Sequence, residues 1–353
     1  MDRMKTIRKA LSRNHAVTLG MCIILVAGVV AGCNATSDLD STPTEFVTSS
    51  TLETAPSKVV HTPTYSTATI AIYVNPDADY EKLAGLTLPI LDELANSAGM
   101  QIEDLEELAL STLNSYPQIV VLFGAPSSAS DLVQNNPEIQ FLIIGETDIE
   151  PGENVTTIGS EGLPRHEQSF IAGYIAALIT PEWRAGMIMT ETEPTELADT
   201  FQRGVKFYCG LCRQAFPPFY DYPVIEIIEA GGANQAFQSL SGFSVDTVYV
   251  SEGVITQMGG IDEGEALSIN IIGAAPPLDA QSSNWVNTIQ FDLEAPIKLI
   301  WSDLLDGIGG KDLPINFVLT DVNNELLSLG KFNHVNQVIS DVVGSYIGVE
   351  EIP

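Results

Sequence analysis

Cations are scarce in this chain. Against 46 aspartates and glutamates stand 15 lysines and arginines, giving a formal net charge of −31 at pH 7. Five of those cations (Arg3, Lys5, Arg8, Lys9 and Arg13) fall in the first 13 residues. Without residues 1–32 the chain keeps 45 acidic and 10 basic residues, a net charge of −35. A surface of that sign repels phosphate backbones and anionic headgroups, so nucleic acid is not expected as a partner. Histidine and cysteine are just as sparse, with four of each. Past the first 32 residues the histidines are His61, His166 and His334. No HExxH pair and no GxSxG elbow occurs, and the loop Gly124-Ala-Pro-Ser-Ser128 lacks the Gly-Lys-Ser/Thr ending of a phosphate loop. His166 beside Glu167 is either a base or a solvated residue at a helix start. No catalytic centre, metal or cofactor is expected. After residue 32 no apolar run reaches the roughly 17–25 residues that a membrane span needs.

What is present begins with an export signal. The five cations precede Ala16–Gly32, an uncharged stretch of 17 residues that ends in Val30-Ala31-Gly32-Cys33. Small residues directly before a cysteine are the processing pattern of bacterial lipoproteins, so residues 1–33 are expected to be a signal peptide with Cys33 as the lipidated residue. A plain N-terminal anchor or simple secretion is the alternative, and each places the rest of the chain outside the cytoplasm. Residues 34–64 are rich in Ser, Thr and Pro without apolar periodicity, and are expected to be a flexible tether. The expected location is the extracytoplasmic face of the cell membrane, with the lipid as the membrane contact.

From residue 65 the pattern changes. Apolar, β-branched runs predict strands over 68–74, 118–123, 141–144, 155–158, 183–189, 224–228, 247–250, 269–272, 285–289, 315–319 and 326–329. Helical periodicity predicts helices over 83–97, 103–113, 128–134, 170–179, 195–213, 234–240, 293–305 and 335–347, with 254–258 ambiguous and 307–312 a loop. Strand, Gly-containing loop and helix in repetition make a doubly wound parallel sheet. The pattern runs twice, so an α/β fold of two lobes is expected, with a cleft where the C-terminal ends of the strands face each other. The expected division is 65–181 for the N-terminal lobe, 182–285 for the C-terminal lobe, and 286–353 for crossover segments completing both.

Cys209-Gly-Leu-Cys212 has the spacing of a redox pair or half a zinc site. A redox pair normally opens a helix, and this one falls late in a predicted helix. A local disulfide closing the helix, a pair of free thiols, and a redox or metal site are the three readings; outside the cytoplasm a disulfide persists.

Several motifs resemble the basic membrane protein family, substrate-binding lipoproteins that serve ABC transporters and resemble a purine-nucleoside receptor. The motifs are Phe170-Ile-Ala-Gly173-Tyr174-Ile-Ala-Ala177, Arg184-Ala-Gly186-Met-Ile188, Phe201-Gln-Arg-Gly204 and Trp285-Val-Asn-Thr-Ile-Gln-Phe-Asp-Leu293. The resemblance implies a periplasmic-binding-protein type I fold, a nucleoside or similar small solute between the lobes, and an ABC permease as partner. It also implies aromatic stacking on a base and polar groups on a ribose. Tyr80 stands near the family's first cleft aromatic, in Asn75-Pro-Asp-Ala-Asp-Tyr80. Phe170 is either a stacking residue or core, because Phe170, Tyr174 and Ala177 share one helix face. Phe123 and the loop after it end a strand that should face the cleft. Glu167 is either an acceptor for a ligand amine or a solvated carboxylate at a helix start. The chain departs from the family where Gly273 runs into Ala274-Ala275, leaving Asp279 as the nearest carboxylate, and where Phe291 stands in place of a lysine. A non-nucleoside solute, or a sensing rather than a transporting role, fits these departures as well.

Overall fold

The computed structural model describes residues 68–112, 116–258, 269–277 and 283–349. The lipidation candidate Cys33, the tether 34–64 and Asp279 lie outside the described residues. The chain divides into two units, 1–68 and 69–353, and the fold is that of the second.

Its first sheet is built from β1 (Thr69–Val74), β2 (Gln101–Leu105), β3 (Ile119–Phe123), β4 (Gln140–Ile144), β5 (Val155–Ile158) and β11 (Asp312–Leu313), in the order β11-β5-β4-β3-β1-β2. All five pairings are parallel. A parallel sheet is covered on both faces, which is why β3 and β4 are buried at every position. The helices of this half are α1 (Ala78–Ala98) and α2 (Ala129–Asn135). Asp77 caps α1 by accepting from the Asp79 N–H at 3.0 Å, and Gly99 ends it at φ 69°.

The second sheet holds β6 (Ala185–Thr190), β7 (Val224–Ile228), β8 (Thr247–Val250), β9 (Asn270–Gly273), β10 (Trp285–Asp292) and β12 (Asn316–Thr320), ordered β12-β10-β9-β8-β6-β7. Only β12 runs antiparallel, against β10. Its helices are α3 (Arg165–Ile179), α4 (Glu196–Cys209), α5 (Ala233–Gly242) and the short α6 (Glu252–Ile255). Two more follow, α7 (Glu294–Leu305) and α8 (Leu329–Val343). In each sheet the chain steps one way first (β1 to β2, β6 to β7) and then the other (β3, β8). The switch points lie at β1/β3 and β6/β8, where a doubly wound sheet opens its crevice.

The structure corrects four expectations. Residues 103–112 of the helix expected over 103–113 do not form one: Gly99 reverses the chain, and 101–105 become an edge strand parallel to β1, with a 3-10 turn at Leu110–Thr112. Residues 326–329 are not a strand: the Asn323 carbonyl accepts from Leu326 N–H and Leu327 N–H at 3.1 and 2.8 Å, a turn that leads into α8. The loop expected at 307–312 ends in β11, which adds to the far edge of the first sheet. The division near residue 181 also moves. Helix α3 packs along α4 and against β6 and β8, so it belongs with the second sheet and the chain leaves the first between Ile158 and Arg165. It recrosses after β10, where α7 packs on α1, and again between β11 and β12.

Candidate functional site

The first lobe presents the start of α1. The Tyr80 ring fills a notch between the turns that follow β3 and β4. A Cβ at Gly124 would lie 2.4 Å from that ring and one at Gly145 2.7 Å, and both glycines have positive φ, 68° and 95°. Burial raises the Tyr80 phenol pKa, and the carboxylates of Glu146, Asp77 and Asp79 raise it further. Tyr80 is therefore a protonated hydroxyl at neutral pH. Asp79 and Lys82 stand on the same first turns of α1.

The second lobe presents the loops after β6 and β8, at its switch point. Glu193 Oε2 joins them, accepting from Thr190 N–H at 2.8 Å, Thr190 Oγ1 at 3.0 Å and Ser251 Oγ at 2.6 Å. Beneath it lies Tyr249, fully enclosed and stacked on Phe201 with ring centroids 6.0 Å apart. Burial pushes the Tyr249 phenol far above its ordinary pKa, with Glu193 adding to the effect. From α3, Gln168 is buried and its amide donates to the Ile289 carbonyl at 2.7 Å, tying the helix to β10.

Two ion pairs join these groups across the lobes. The Arg165 guanidinium meets Asp79 at 2.5 Å, and the Lys82 ammonium meets Glu252 at 2.5 Å. The Lys82 Nζ also lies 5.2 Å from the centroid of the Phe291 ring. On the second-lobe side, Arg165, Gln168, Glu193, Tyr249, Ser251, Glu252, Ala274 and Phe291 line a cavity of about 10 Å³, the room of one water. Beside it an open groove of about 480 Å³ runs between α1 and the β10–α7 segment, lined by Leu86, Ile90, Val318 and again Phe291. Among the described residues no group of three His, Cys, Asp or Glu side chains is placed to hold a metal ion, and no helix is long and apolar enough to cross a membrane.

The residues singled out in the sequence are dispersed by the fold. Phe291 lines the cavity and the groove. Tyr80 stands at the strand ends of the first lobe, and Glu167 is half-buried in the first turn of α3. Phe123 is fully buried within β3 and lines neither the cavity nor the groove. Phe170 is 2 % exposed and packs on Phe207, centroids 5.5 Å apart, so of its two readings the structure takes core. Cys209, the last residue of α4, and Cys212 are disulfide-bonded across the Gly210 cap, with Cα atoms 5.0 Å apart. Lys82, Arg165, Gln168, Glu193 and Glu252 were not singled out. Only Ser251 and Glu252, directly after an apolar strand, carried a signal that would have found them.

No protein-family model matches the chain, and no curated protein matches it. Solved structures do. An ABC transporter solute-binding protein from Conexibacter woesei superposes with a TM-score of 0.58 at 11% identity, covering 81% of this chain and 98% of that one. A second ABC transporter solute-binding protein, from Aeropyrum pernix, has a TM-score of 0.52 at 14% identity, covering 80% and 93%. A transcriptional activator of the comK gene from Bacillus halodurans has 0.54 at 14%, covering 79% and 99%. At such identities the likeness is one of fold: this chain has the two-lobed α/β fold of the periplasmic-binding-protein type. A regulator shares that fold, so the fold alone does not separate transport from regulation.

Proposed function

We propose that this chain is an extracytoplasmic solute-binding lipoprotein of an ABC importer, lipid-anchored through Cys33, that takes a small polar solute between its lobes. A nucleoside is the class implied by the resemblance to the basic membrane protein family. The observation that carries the reading is the convergence of polar side chains from both lobes. Asp79 and Lys82 from one side, with Arg165, Glu193 and Glu252 from the other, meet at the crevice where doubly wound sheets bind ligands. With Asp79 and Lys82 bonded across to Arg165 and Glu252, the arrangement corresponds to a closed state. A solute enters only if the lobes part, and it favours closure by the difference in its affinity for the two states. The closed form is the one a permease would accept. Of the sequence-selected residues, Phe291 lines the cavity, and Tyr80 and Glu167 stand in the first turns of α1 and α3, which also carry Asp79 and Arg165.

The test is a melting series on the full-length chain in detergent, followed by intrinsic tryptophan fluorescence, against nucleosides, free bases, sugars, amino acids and amines. A ligand of the native state raises the melting temperature by mass action, by about 2.7 kcal/mol of stability at a hundredfold excess over Kd. A shift confined to one solute class supports the reading. No shift across the panel, with no change in radius of gyration on adding any member, would overturn it.

A further inference from the structure

The partner of Glu252 comes from the other lobe, 170 residues away in the chain. Its ammonium lies 2.5 Å from Glu252 Oε2 and 5.2 Å from the Phe291 centroid. A carboxylate beside an aromatic face suits an ammonium ion leaving water. The carboxylate neutralises the charge, and the negative face of the ring replaces part of the lost hydration. Glu252 and Phe291 both belong to the second lobe, on α6 and β10. The cation arrives from the first lobe on a flexible four-carbon stem. The second lobe thus carries an ammonium half-site, and in the closed arrangement a side chain of the protein itself fills it.

The surroundings agree in sign and shape. Glu193 adds a second carboxylate to the same cavity wall, while the Arg165 charge is engaged by Asp79. With α1 withdrawn, Glu193 and Glu252 set two carboxylates against the one Arg165 cation, and the wall keeps a net negative charge. Leu86 and Ile90 follow Lys82 at i+4 and i+8 on one face of α1, and they line the open groove that shares Phe291 with the cavity. Asp292, Glu294 and Lys298 share that groove with Leu86, Ile90 and Val318, and an apolar stem has its bed on the apolar part, which ends at the Phe291 ring beside the ammonium position.

We propose that the solute of this cleft carries an alkylammonium group, whose nitrogen takes the place of Lys82 Nζ between Glu252 and Phe291 while its apolar body lies along the groove. Lys82 is then an internal competitor that holds the lobes together when no amine is present. The inference rests on the reading of the cleft as a solute site. It adds the chemical class and the latch. A latch that keeps the competent state at a small population lowers the apparent affinity by that fraction, so removing it strengthens binding without a new contact.

The test uses the full-length chain in detergent as wild type, Lys82→Met, Glu252→Gln and Phe291→Leu, each checked by its own melting curve without solute. Calorimetric titrations use n-butylammonium and 1,4-diaminobutane, with 1-butanol as the neutral isostere and adenosine as the nucleoside arm. Lys82→Met keeps the stem and removes the charge, and is expected to bind n-butylammonium roughly tenfold more tightly than wild type. Glu252→Gln is expected to lose binding by roughly tenfold or more, Phe291→Leu by several-fold, and 1-butanol to bind none of the four. Amine affinity that is equal in wild type, Lys82→Met and Glu252→Gln would overturn the ammonium site. So would adenosine binding that none of the substitutions alters, and that result leaves the solute cleft standing. No binding of any probe to any variant overturns the ammonium site, and an empty solute panel would remove the cleft reading with it.

Discussion

Gly173 and Gly204 meet backbone to backbone where α3 lies along α4. A Cβ at Gly173 would stand 2.1 Å from the Phe201 carbonyl oxygen, and one at Gly204 would stand 2.0 Å from that of Phe170. Neither obstacle is a side chain that can swing aside. These two glycines belong to the motifs that carry the family resemblance, and the structure gives them a packing role rather than a ligand role. Gly204→Ala is expected to cost about 1–3 kcal/mol or more through overpacking. Gly85, inside α1, has nothing within 4 Å of an added Cβ, so Gly85→Ala is expected to stabilise by about 0.5–1 kcal/mol. Urea unfolding of the two variants checks both signs, and equal effects would refute the close crossing.

Glu193 is the bond between the two loops at the switch point of the second sheet. Glu193→Ala would leave Thr190 N–H, Thr190 Oγ1 and Ser251 Oγ without their shared acceptor. The expected loss is about 1–3 kcal/mol. Glu193→Gln keeps an amide oxygen for the Thr190 N–H and is expected to lose less. Reversed ranking in denaturant melts would show that the carboxylate does not hold these loops.

Asp246 gives a pH signature. Burial raises its carboxyl pKa, with the nearby Arg184 opposing and Glu182 adding. The folded chain therefore holds this proton at pH values where the unfolded chain has released it. The stability that goes with it is full below the ordinary carboxylate pKa and is lost as pH rises through the folded value. Asp246→Asn cannot titrate. Its stability relative to wild type is expected to climb across that window and then stay level to pH 8. A flat difference from pH 3 upward in urea titrations would contradict the raised value.

The disulfide closes a very short loop at the end of α4, and chain entropy assigns so short a closure about 2 kcal/mol. Replacing Cys209 and Cys212 by serine should lower the melting temperature modestly while leaving solute affinity unchanged. Loss of solute binding in that variant would connect the Cys209–Cys212 loop to the cleft.

Much of the frame was legible in the sequence. Strands covered on both faces are apolar from end to end, so Ile119–Phe123, Phe141–Ile144 and Thr247–Val250 announce themselves. The α/β class and its duplication followed from their spacing. The edge strand β2 carries no such signal. Gln101–Leu105 reads as acidic and amphipathic, and only pairing with β1 makes it a strand. Of the aromatics singled out, Phe291 lines the cavity, whereas Phe123 and Phe170 are packed as core, a difference that the same local signal could not show.

The amino-acid order by itself determined the charge and the alternation of strand and helix. Tertiary structure alone decided where the chain changes lobe and which charges meet. Lys82 has no sequence neighbour that marks it as the partner of Glu252, nor does Arg165 mark Asp79. Propensity and periodicity act over a few residues, whereas the cleft is assembled by three chain crossings between two sheets. The ionic chemistry of the site appears only once those crossings bring residues of distant sequence within hydrogen-bonding distance.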